Sequence, residues 1–334
     1  MKSQLVEASA GKKGKDVRSD CFVELLLNNP GTVQINLKSK VKTLYGESII
    51  SLFKEMSLFF ELENITINVE DAGALPFVLA ARFECAVKRL FPEIKKEYIL
   101  PFNKKNLYSS TKDKLRRSRL YLPGNEPKFY INSGLHLPDG IILDLEDSVA
   151  HSEKDAAQLL VRNALRTVDF YGAERMVRIN QLPRGLDDLK FVIPHNVNCV
   201  LIPKCESANQ VKLVVQEIDR IKAENKLKNE VYLMPIIESS LGVIKAYEIA
   251  SAEPSVCALA IGLEDYTADI GAQRTNTGEE SFYARSALLN AAKAASIQAI
   301  DTVFSDVSDM DTLRKSVLEA KALGFEGKGC IHPR

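Results

Sequence analysis

The chain has 334 residues, which is enough for one large domain and a second, small one. Lysine plus arginine and aspartate plus glutamate both number 44, so no overall charge attracts nucleic acid or a membrane surface. No apolar run reaches membrane-spanning length, and the polar N-terminus lacks the core of a signal peptide. Six scattered cysteines without a close CxxC pair indicate reduced thiols in a cytoplasmic protein and argue against a zinc site.

The first 92 residues predict a small ββαβα domain. Residues 1–20 are polar and rich in glycine and lysine, which is typical of a flexible arm. Strands are expected at residues 21–27, 33–37 and 65–69, with a turn at residues 28–31 between the first two. Apolar residues at helical spacing predict helices over residues 46–62 and 79–90, and a basic linker follows at residues 93–114.

From residue 115 to residue 334, apolar segments of strand length alternate with amphipathic helical segments. The expected strands lie at residues 120–122, 140–145, 176–179, 200–203, 231–237, 256–263, 299–304 and 329–331. This alternation predicts an α/β fold, a (β/α)8 barrel. An open doubly wound sheet is the alternative, but no GxGxxG motif follows a strand. Because the chain ends directly after the eighth strand, we expect C-terminal helices to be missing. The chain as given should then be either oligomeric through the uncovered region or weakly active.

Charged residues stand at the ends of five consecutive predicted strands, where a barrel has its catalytic face. Glu238 and Asp265 end successive strands, and two carboxylates there suit a hard cation such as Mg²⁺. The alternative is that each acid caps the following helix. The other strand ends carry Asp144, Glu146, Asp147, Arg178 and Lys204. Arg178 is suited to a two-donor grip on a substrate carboxylate and Lys204 to a point charge or Schiff-base amine, unless both simply neutralise the acids.

Seven short motifs occur in the order in which a known family has them. They are RRSRLYLPGN (116–125), ILDLEDSV (142–149), VRIN (177–180), IPKCES (202–207), PIIES (235–239), IGLED (261–265) and CIHP (330–333). Residues 115–334 thereby resemble the citrate lyase beta subunit, in the superfamily that includes malyl-CoA lyase. The resemblance implies a TIM barrel, usually trimeric, with an Mg²⁺-dependent carbon–carbon lyase site. It also implies that Glu238 and Asp265 bind the metal, that Arg178 binds a substrate carboxylate, and that Glu146 and Asp147 lie near the metal.

The N-terminal domain has a resemblance of its own. It rests on AGKKGKDVRSDCFVEL (10–25) and DAGALPFVLAARFECAV (71–87), which are similar to the citrate lyase acyl carrier protein, the gamma subunit. That family attaches a phosphoribosyl-dephospho-CoA arm, a phosphopantetheine-like group, to a serine just before the first strand. The resemblance therefore implies attachment to Ser19, with Ser9 as the alternative and an unmodified surface serine as the plain structural interpretation.

Together the two resemblances imply an enzyme that cleaves a citryl thioester on its own carrier domain to oxaloacetate and an acetyl thioester. Glu146 or Asp147 is the candidate base, and the acyltransferase, the citrate lyase alpha subunit, is the implied partner. One alternative is a lyase acting on free thioesters such as malyl-CoA or citramalyl-CoA. The other is a non-catalytic scaffold that presents the carrier domain to an acyltransferase.

Overall fold

The computed structural model describes residues 6–27 and 31–333, so most of the predicted 28–31 turn and the start of the predicted arm lie outside the described residues. The chain forms two compact units. The first joins the residues up to Asn103 with Gly124–Ile131 and Val149–Val168, and the second comprises Lys104–Pro123, Asn132–Ser148 and the residues from Asp169 onward. Within the described ranges, no helix combines the length and apolar character needed to cross a membrane.

The first unit is a small α+β structure built on a four-stranded sheet. Its strands, in the spatial order β1-β2-β4-β3, are β1 (Glu7–Gly11), β2 (Cys21–Leu27), β3 (Gln34–Ser39) and β4 (Ile65–Asp71). Its helices are α1 (Lys42–Phe59), α2 (Pro76–Leu90) and α3 (Lys154–Thr167). β2 is antiparallel to β1 and β4, whereas β3 runs parallel to β4. The predicted strands and helices of this domain are therefore confirmed, with ends shifted by a few residues.

The prediction of a flexible arm over residues 1–20 is wrong for Glu7–Gly11. This segment pairs with β2 as an edge strand, and Ala10, opposite Val23, is buried. A Cβ atom at Gly11 would lie 1.9 Å from the carbonyl oxygen of Cys21, so only glycine permits this close approach. A strand whose composition is small and polar gives no apolar alternation, which is why the sequence pattern did not reveal it.

The second unit contains the barrel, and its strands are confirmed at all eight predicted places within the described residues. They are β5 (Ser118–Pro123), β6 (Gly140–Asp144), β7 (Glu174–Arg178), β8 (Cys199–Ile202), β9 (Tyr232–Ile237), β10 (Ala258–Ile261), β11 (Gln298–Asp301) and β12 (Gly327–Cys330). All neighbours are parallel, and β12 pairs with β5 through Gly329 and Arg119, which closes the ring. An open sheet would lack that last pairing, so the doubly wound alternative is wrong.

Helices connect the strands, and the barrel interior is filled by side chains. The helices of this unit are α4 (Gly185–Val192), α5 (Ala208–Glu224), α6 (Ser240–Ile244), α7 (Ala246–Ala250), α8 (Leu263–Asp269), α9 (Phe282–Ala294) and α10 (Met310–Leu323). The interior cluster includes Ile142, Met176, Leu201, Met234, Ile236 and Ile300, with Tyr121 packed against it. These residues come from alternate positions of their strands, which is how a barrel of this size excludes water from its centre.

A buried ion pair holds the N-terminal end of the barrel. Arg116 donates from Nε to Oε2 of Glu174 at 2.7 Å and from Nη2 to Oε1 at 2.8 Å, and both side chains are fully buried. The next residue, Arg117, makes a similar fork with Asp139, but its side chain is 68% exposed. Adjacent arginines thus form one ion pair inside the protein and one at its surface.

These two arginines form a matched pair for a stability test. Arg116→Met should lower the free energy of unfolding of the barrel by about 3–5 kcal/mol, because it leaves the charge of Glu174 buried and unpaired. Arg117→Met should cost at most about 1 kcal/mol, since water solvates the remaining partner. Urea unfolding followed by circular dichroism measures both, and equal effects of the two substitutions would contradict the prediction.

Candidate active site

Closure of the barrel brings the predicted charged residues to one end of the ring. Asp144 and Arg178 are the last residues of β6 and β7, while Glu238 directly follows β9. Asp144, Asp147, Arg178, Glu238 and Asp265 line one cavity of about 400 Å³ at these strand ends. The predicted site residues that line this cavity are therefore neighbours in space, although Asp144 and Asp265 are 121 residues apart in sequence.

Arg178 and Asp144 form the central ion pair. They lie opposite each other in the β6–β7 register, and Arg178 donates from Nε and Nη2 to the two carboxylate oxygens of Asp144 at 2.7 and 2.8 Å. Burial alone would raise the pKa of Asp144, but the hydrogen bonds and charge of Arg178 outweigh it and hold that pKa below its usual range. The guanidinium is therefore fixed in position and remains charged.

The acids that follow β6 have different surroundings. Glu146 is buried, with Oε2 2.8 Å from Nη1 of Arg178, and Gln181 donates to its Oε1 at 3.1 Å. Burial raises the pKa of Glu146, and Arg178 opposes that shift. The side chain of Asp147 is 58% exposed, lies 3.8 Å from Nη1 of Arg178 and lines the cavity. The ion-pair network anticipated for Arg178 thus exists, but it engages Asp144 and Glu146 more closely than Asp147.

Glu238 is a buried carboxylate without an ion-pair partner in the described part of the chain. It is 5% exposed, and its Oε1 accepts a 2.6 Å hydrogen bond from the backbone N–H of Lys204. Burial raises its pKa to about 8, and the negative charges of Glu146 and Asp265 add to that shift. A Cβ atom at residue 262 would lie 2.5 Å from Oε2 of Glu238, so Gly262 provides the space that the carboxylate occupies.

Asp265 lies in the first turn of α8 and Lys204 follows β8. Nζ of Lys204 is 3.8 Å from Oδ2 of Asp265, and both side chains are about 40% exposed (40% and 42%). The peptide of Lys204, rather than its ammonium group, makes the short contact with Glu238. The capping alternative for Glu238 is wrong, because Ser239 caps α6 by accepting a hydrogen bond from Gly242 at 3.1 Å.

The donor set fits a hard divalent cation. Glu238 and Asp265 follow neighbouring strands, and the pKa of Glu238 is raised by burial first and by the charges of Glu146 and Asp265 after it. Within residues 6–27 and 31–333 no group of three or more histidine, cysteine, aspartate or glutamate side chains could enclose a metal. Two carboxylates with open positions correspond to the way Mg²⁺ is held, with water and substrate oxygens as its other ligands.

The structure also identifies site residues that the sequence analysis missed. Gly262 and the peptide N–H of Lys204 act on Glu238, and Tyr121 lines the cavity with its ring 5.5 Å from Cζ of Arg178. A glycine directly after a buried strand is a known sign of close approach and was available in the IGLED motif. Tyr121 alternates with Leu120 and Leu122, and no sequence signal separates it from an ordinary core residue.

Comparisons with known proteins agree with this geometry. Residues 117–333 match the family model described as HpcH/HpaI aldolase/citrate lyase, and residues 9–90 match the ACP model described as malonate decarboxylase delta subunit. The citrate lyase subunit beta of Haemophilus influenzae is 41% identical over 224 residues, covering 66% of this chain and 77% of the relative. The mitochondrial citramalyl-CoA lyase of Mus musculus is 32% identical over 278 residues, covering 80% and 78%.

Solved structures give the same result. The citrate lyase beta subunit of M. tuberculosis, complexed with oxaloacetate and magnesium, is 29% identical with a TM-score of 0.56, and the match covers 66% of this chain and 92% of that one. Because the HpcH/HpaI aldolase/citrate lyase model matches more than half of the chain, from residue 117 to residue 333, this chain belongs to that family and is a lyase.

Proposed function

We propose that this protein is an Mg²⁺-dependent lyase that cleaves a citryl thioester, carried on its own N-terminal domain, into oxaloacetate and an acetyl thioester. The observation that carries the proposal is the buried Glu238 with its raised pKa, beside Asp265 in a cavity that also contains Arg178. The similarity to citrate lyase beta subunits supports the choice of substrate.

Glu238 and Asp265 would hold the metal, and Gly262 keeps the space for Glu238 open. When bound, Mg²⁺ would polarise the hydroxyl of the substrate and so lower the pKa of that hydroxyl. Because the pKa of metal-free Glu238 is raised, a cation that binds there would displace a proton. It would not have to displace a lysine or arginine from an ion pair with Glu238.

Arg178 would orient the carboxylate next to the carbinol carbon. A guanidinium has five N–H donors, of which the fork with Asp144 uses two, and Nη1 also lies 2.8 Å from Oε2 of Glu146, so about two donors remain for a substrate. Because Asp144 fixes the plane of the guanidinium, the bound carboxylate would be held in one orientation before the reaction.

Asp147 is the proposed base, since it lines the cavity whereas Glu146 faces Arg178 and Gln181. Asp147 takes the hydroxyl proton, the carbinol oxygen becomes the keto oxygen of oxaloacetate, and the adjacent carbon–carbon bond breaks. The bonding electron pair passes into the thioester enolate, whose carbon then takes a proton to give the acetyl thioester.

The carrier role is proposed for Ser19. This residue has a φ of +54°, and its N–H donates to the carbonyl of Ala72 at 3.0 Å, just before Asp20, which Arg82 holds through hydrogen bonds of 2.9 and 2.8 Å. A cavity of about 400 Å³ includes Ala72, and its charged lining residues are five lysines and two acids: Lys12, Lys13, Lys15, Lys38, Lys40, Glu70 and Asp71. Such a cavity suits the phosphates of a phosphoribosyl-dephospho-CoA arm.

An acyltransferase of the citrate lyase alpha type, which would load the carrier, and further copies of this chain are the proposed partners. A second candidate substrate is free citramalyl-CoA, because the similarity to mouse citramalyl-CoA lyase extends over 80% of this chain. Assays of oxaloacetate, pyruvate and glyoxylate release from carrier-bound and CoA thioesters distinguish the two candidates.

Glu238→Gln and Asp265→Asn should each abolish Mg²⁺-dependent cleavage and weaken Mg²⁺ binding by roughly 100-fold or more, because a neutral amide is a poor ligand for a hard cation. Glu264→Gln is the matched control, since Glu264 pairs with Arg274 and Ser305 instead. Calorimetric titration with Mg²⁺ measures the binding. If Asp265→Asn still binds Mg²⁺ and Glu264→Gln does not, Glu264 rather than Asp265 is the metal ligand.

The raised pKa of Glu238 predicts a pH dependence of stability in the metal-free protein. A carboxyl group whose folded pKa is about 8 stabilises the fold at low pH, and that contribution is lost as the pH rises to about 8. The variant Glu238→Gln stays neutral at this position. Compared with it, the free energy of unfolding of the unmodified protein should therefore fall by up to about 1.4 kcal/mol per pH unit between pH 5 and 8. Thermal unfolding of both proteins in EDTA tests this prediction. A stability difference between the two proteins that stays constant from pH 5 to pH 8 would contradict it.

Ser19→Ala should remove the covalent arm, whereas Ser9→Ala, with its serine in β1, should keep it. Intact-protein mass spectrometry of each variant, made in a citrate-fermenting host, measures the modification directly. An arm that persists in Ser19→Ala and disappears in Ser9→Ala would move the attachment site to Ser9.

A further inference from the structure

The cavity reaches below the charged residues to a second guanidinium, that of Arg119. Arg119 lies on β5 two positions before Tyr121, so both side chains point into the barrel. It lines the same cavity as Arg178 and Glu238, although it is only 1% exposed to solvent. The mechanism proposed above gives this residue no role.

Arg119 is a buried cation without an anionic partner in the described part of the chain. Its one hydrogen bond there runs from Nη1 to the sulfur of Met234 at 3.0 Å, its Nε has no partner, and it takes part in no ion pair. Burial lowers the pKa of Arg119, while Tyr121 and the thiols of Cys330 and Cys199 oppose that shift only partly. Burying an unpaired charge costs folding free energy, so Arg119 destabilises the ligand-free protein.

The neighbouring strands leave room for this side chain. In the barrel register, Arg119 lies between Gly140 on β6 and Gly329 on β12. A Cβ atom at Gly140 would lie 3.0 Å from the sulfur of Met176 and, at ordinary contact distance, 3.5 Å from Cγ of Arg119. One at Gly329 would lie 2.6 Å from a methyl group of Val303. Both ladder neighbours of Arg119 therefore lack a side chain of their own beside it.

We propose that Arg119 is the anion-binding group of a second carboxylate subsite deep in the barrel. Its ligand would be a dicarboxylate whose first carboxylate lies at Arg178 and whose second extends past Tyr121 to Arg119. The identity of that dicarboxylate as oxaloacetate, or the matching part of a citryl group, rests on the proposed function.

The subsite would determine specificity. Citryl, citramalyl and malyl thioesters share one carboxylate beside the hydroxyl and differ in the other substituent on that carbon, which is carboxymethyl, methyl or hydrogen. Only the carboxymethyl group carries a charge that can pair with Arg119. Because leaving Arg119 unpaired is costly, the methyl and hydrogen analogues should bind less tightly.

The test compares binding of oxaloacetate and pyruvate by calorimetry in the presence of Mg²⁺. The unmodified protein should prefer oxaloacetate by about 10- to 100-fold, as expected for a charge-assisted hydrogen bond. Arg119→Met keeps the side-chain volume similar and should reduce that preference to about threefold or less, with pyruvate affinity unchanged. Arg119→Lys should keep part of the preference.

A stability readout separates this role from a structural one. Arg119→Met should raise the melting temperature of the ligand-free protein, because it removes an unpaired buried charge. Arg175→Met is the matched control. Arg175 is also 1% exposed, but it donates to the carbonyls of Asn196 and Tyr108 at 2.6 and 2.7 Å. This control should lower the melting temperature and leave the ligand preference intact.

An unchanged preference in folded Arg119→Met, or no preference in the unmodified protein, overturns the subsite. The latter measurement needs no variant, so it decides the question even if Arg119→Met does not fold. Failure of the lyase proposal gives a different result: the unmodified protein would prefer oxaloacetate and yet release it from none of the thioesters.

Discussion

The burial of one carboxyl group, that of Glu238, at the C-terminal end of the barrel is the constraint on which the rest of the site depends. Arg178 is within ion-pair distance of Asp144 and Glu146, whereas Glu238 relies on a single peptide N–H from Lys204. Burial above all, and then the charges of Glu146 and Asp265, raise the pKa of Glu238. In the proposed function, a divalent ion held by Glu238 and Asp265 would favour the charged form of both carboxylates and would also supply the reactivity.

The two ends of the barrel differ in whether their buried charges are paired. At the N-terminal end, Arg116 and Glu174 neutralise each other out of contact with water and contribute to folding. At the opposite end Glu238, and deeper inside the barrel Arg119, are buried without an ion-pair partner among the described residues. Charges that are costly in the free protein become favourable when a ligand supplies the missing partner, which is the usual relation between stability and function in an active site.

Much of this could be predicted from sequence because parallel strands in a barrel are buried on both faces and end in the catalytic loops. Apolar runs therefore located the strands, and the charges that followed them located Arg178, Glu238 and Asp265. The edge strand Glu7–Gly11 was missed because its ladder depends on backbone hydrogen bonds rather than on apolar side chains. Arg119 was missed because its environment is created by residues on two other strands, which a linear pattern cannot place beside it.

The two glycines beside Arg119 also have an evolutionary consequence. A Cβ atom at Gly140 would lie 3.0 Å from the sulfur of Met176, and one at Gly329 would lie 2.6 Å from a methyl group of Val303. A larger residue at position 140 would therefore need a smaller neighbour at position 176, and a larger residue at position 329 would need a smaller neighbour at position 303. Each glycine should thus vary together with its own packing partner among related sequences, so the layer around Arg119 can change one pair at a time while the charged strand ends stay the same.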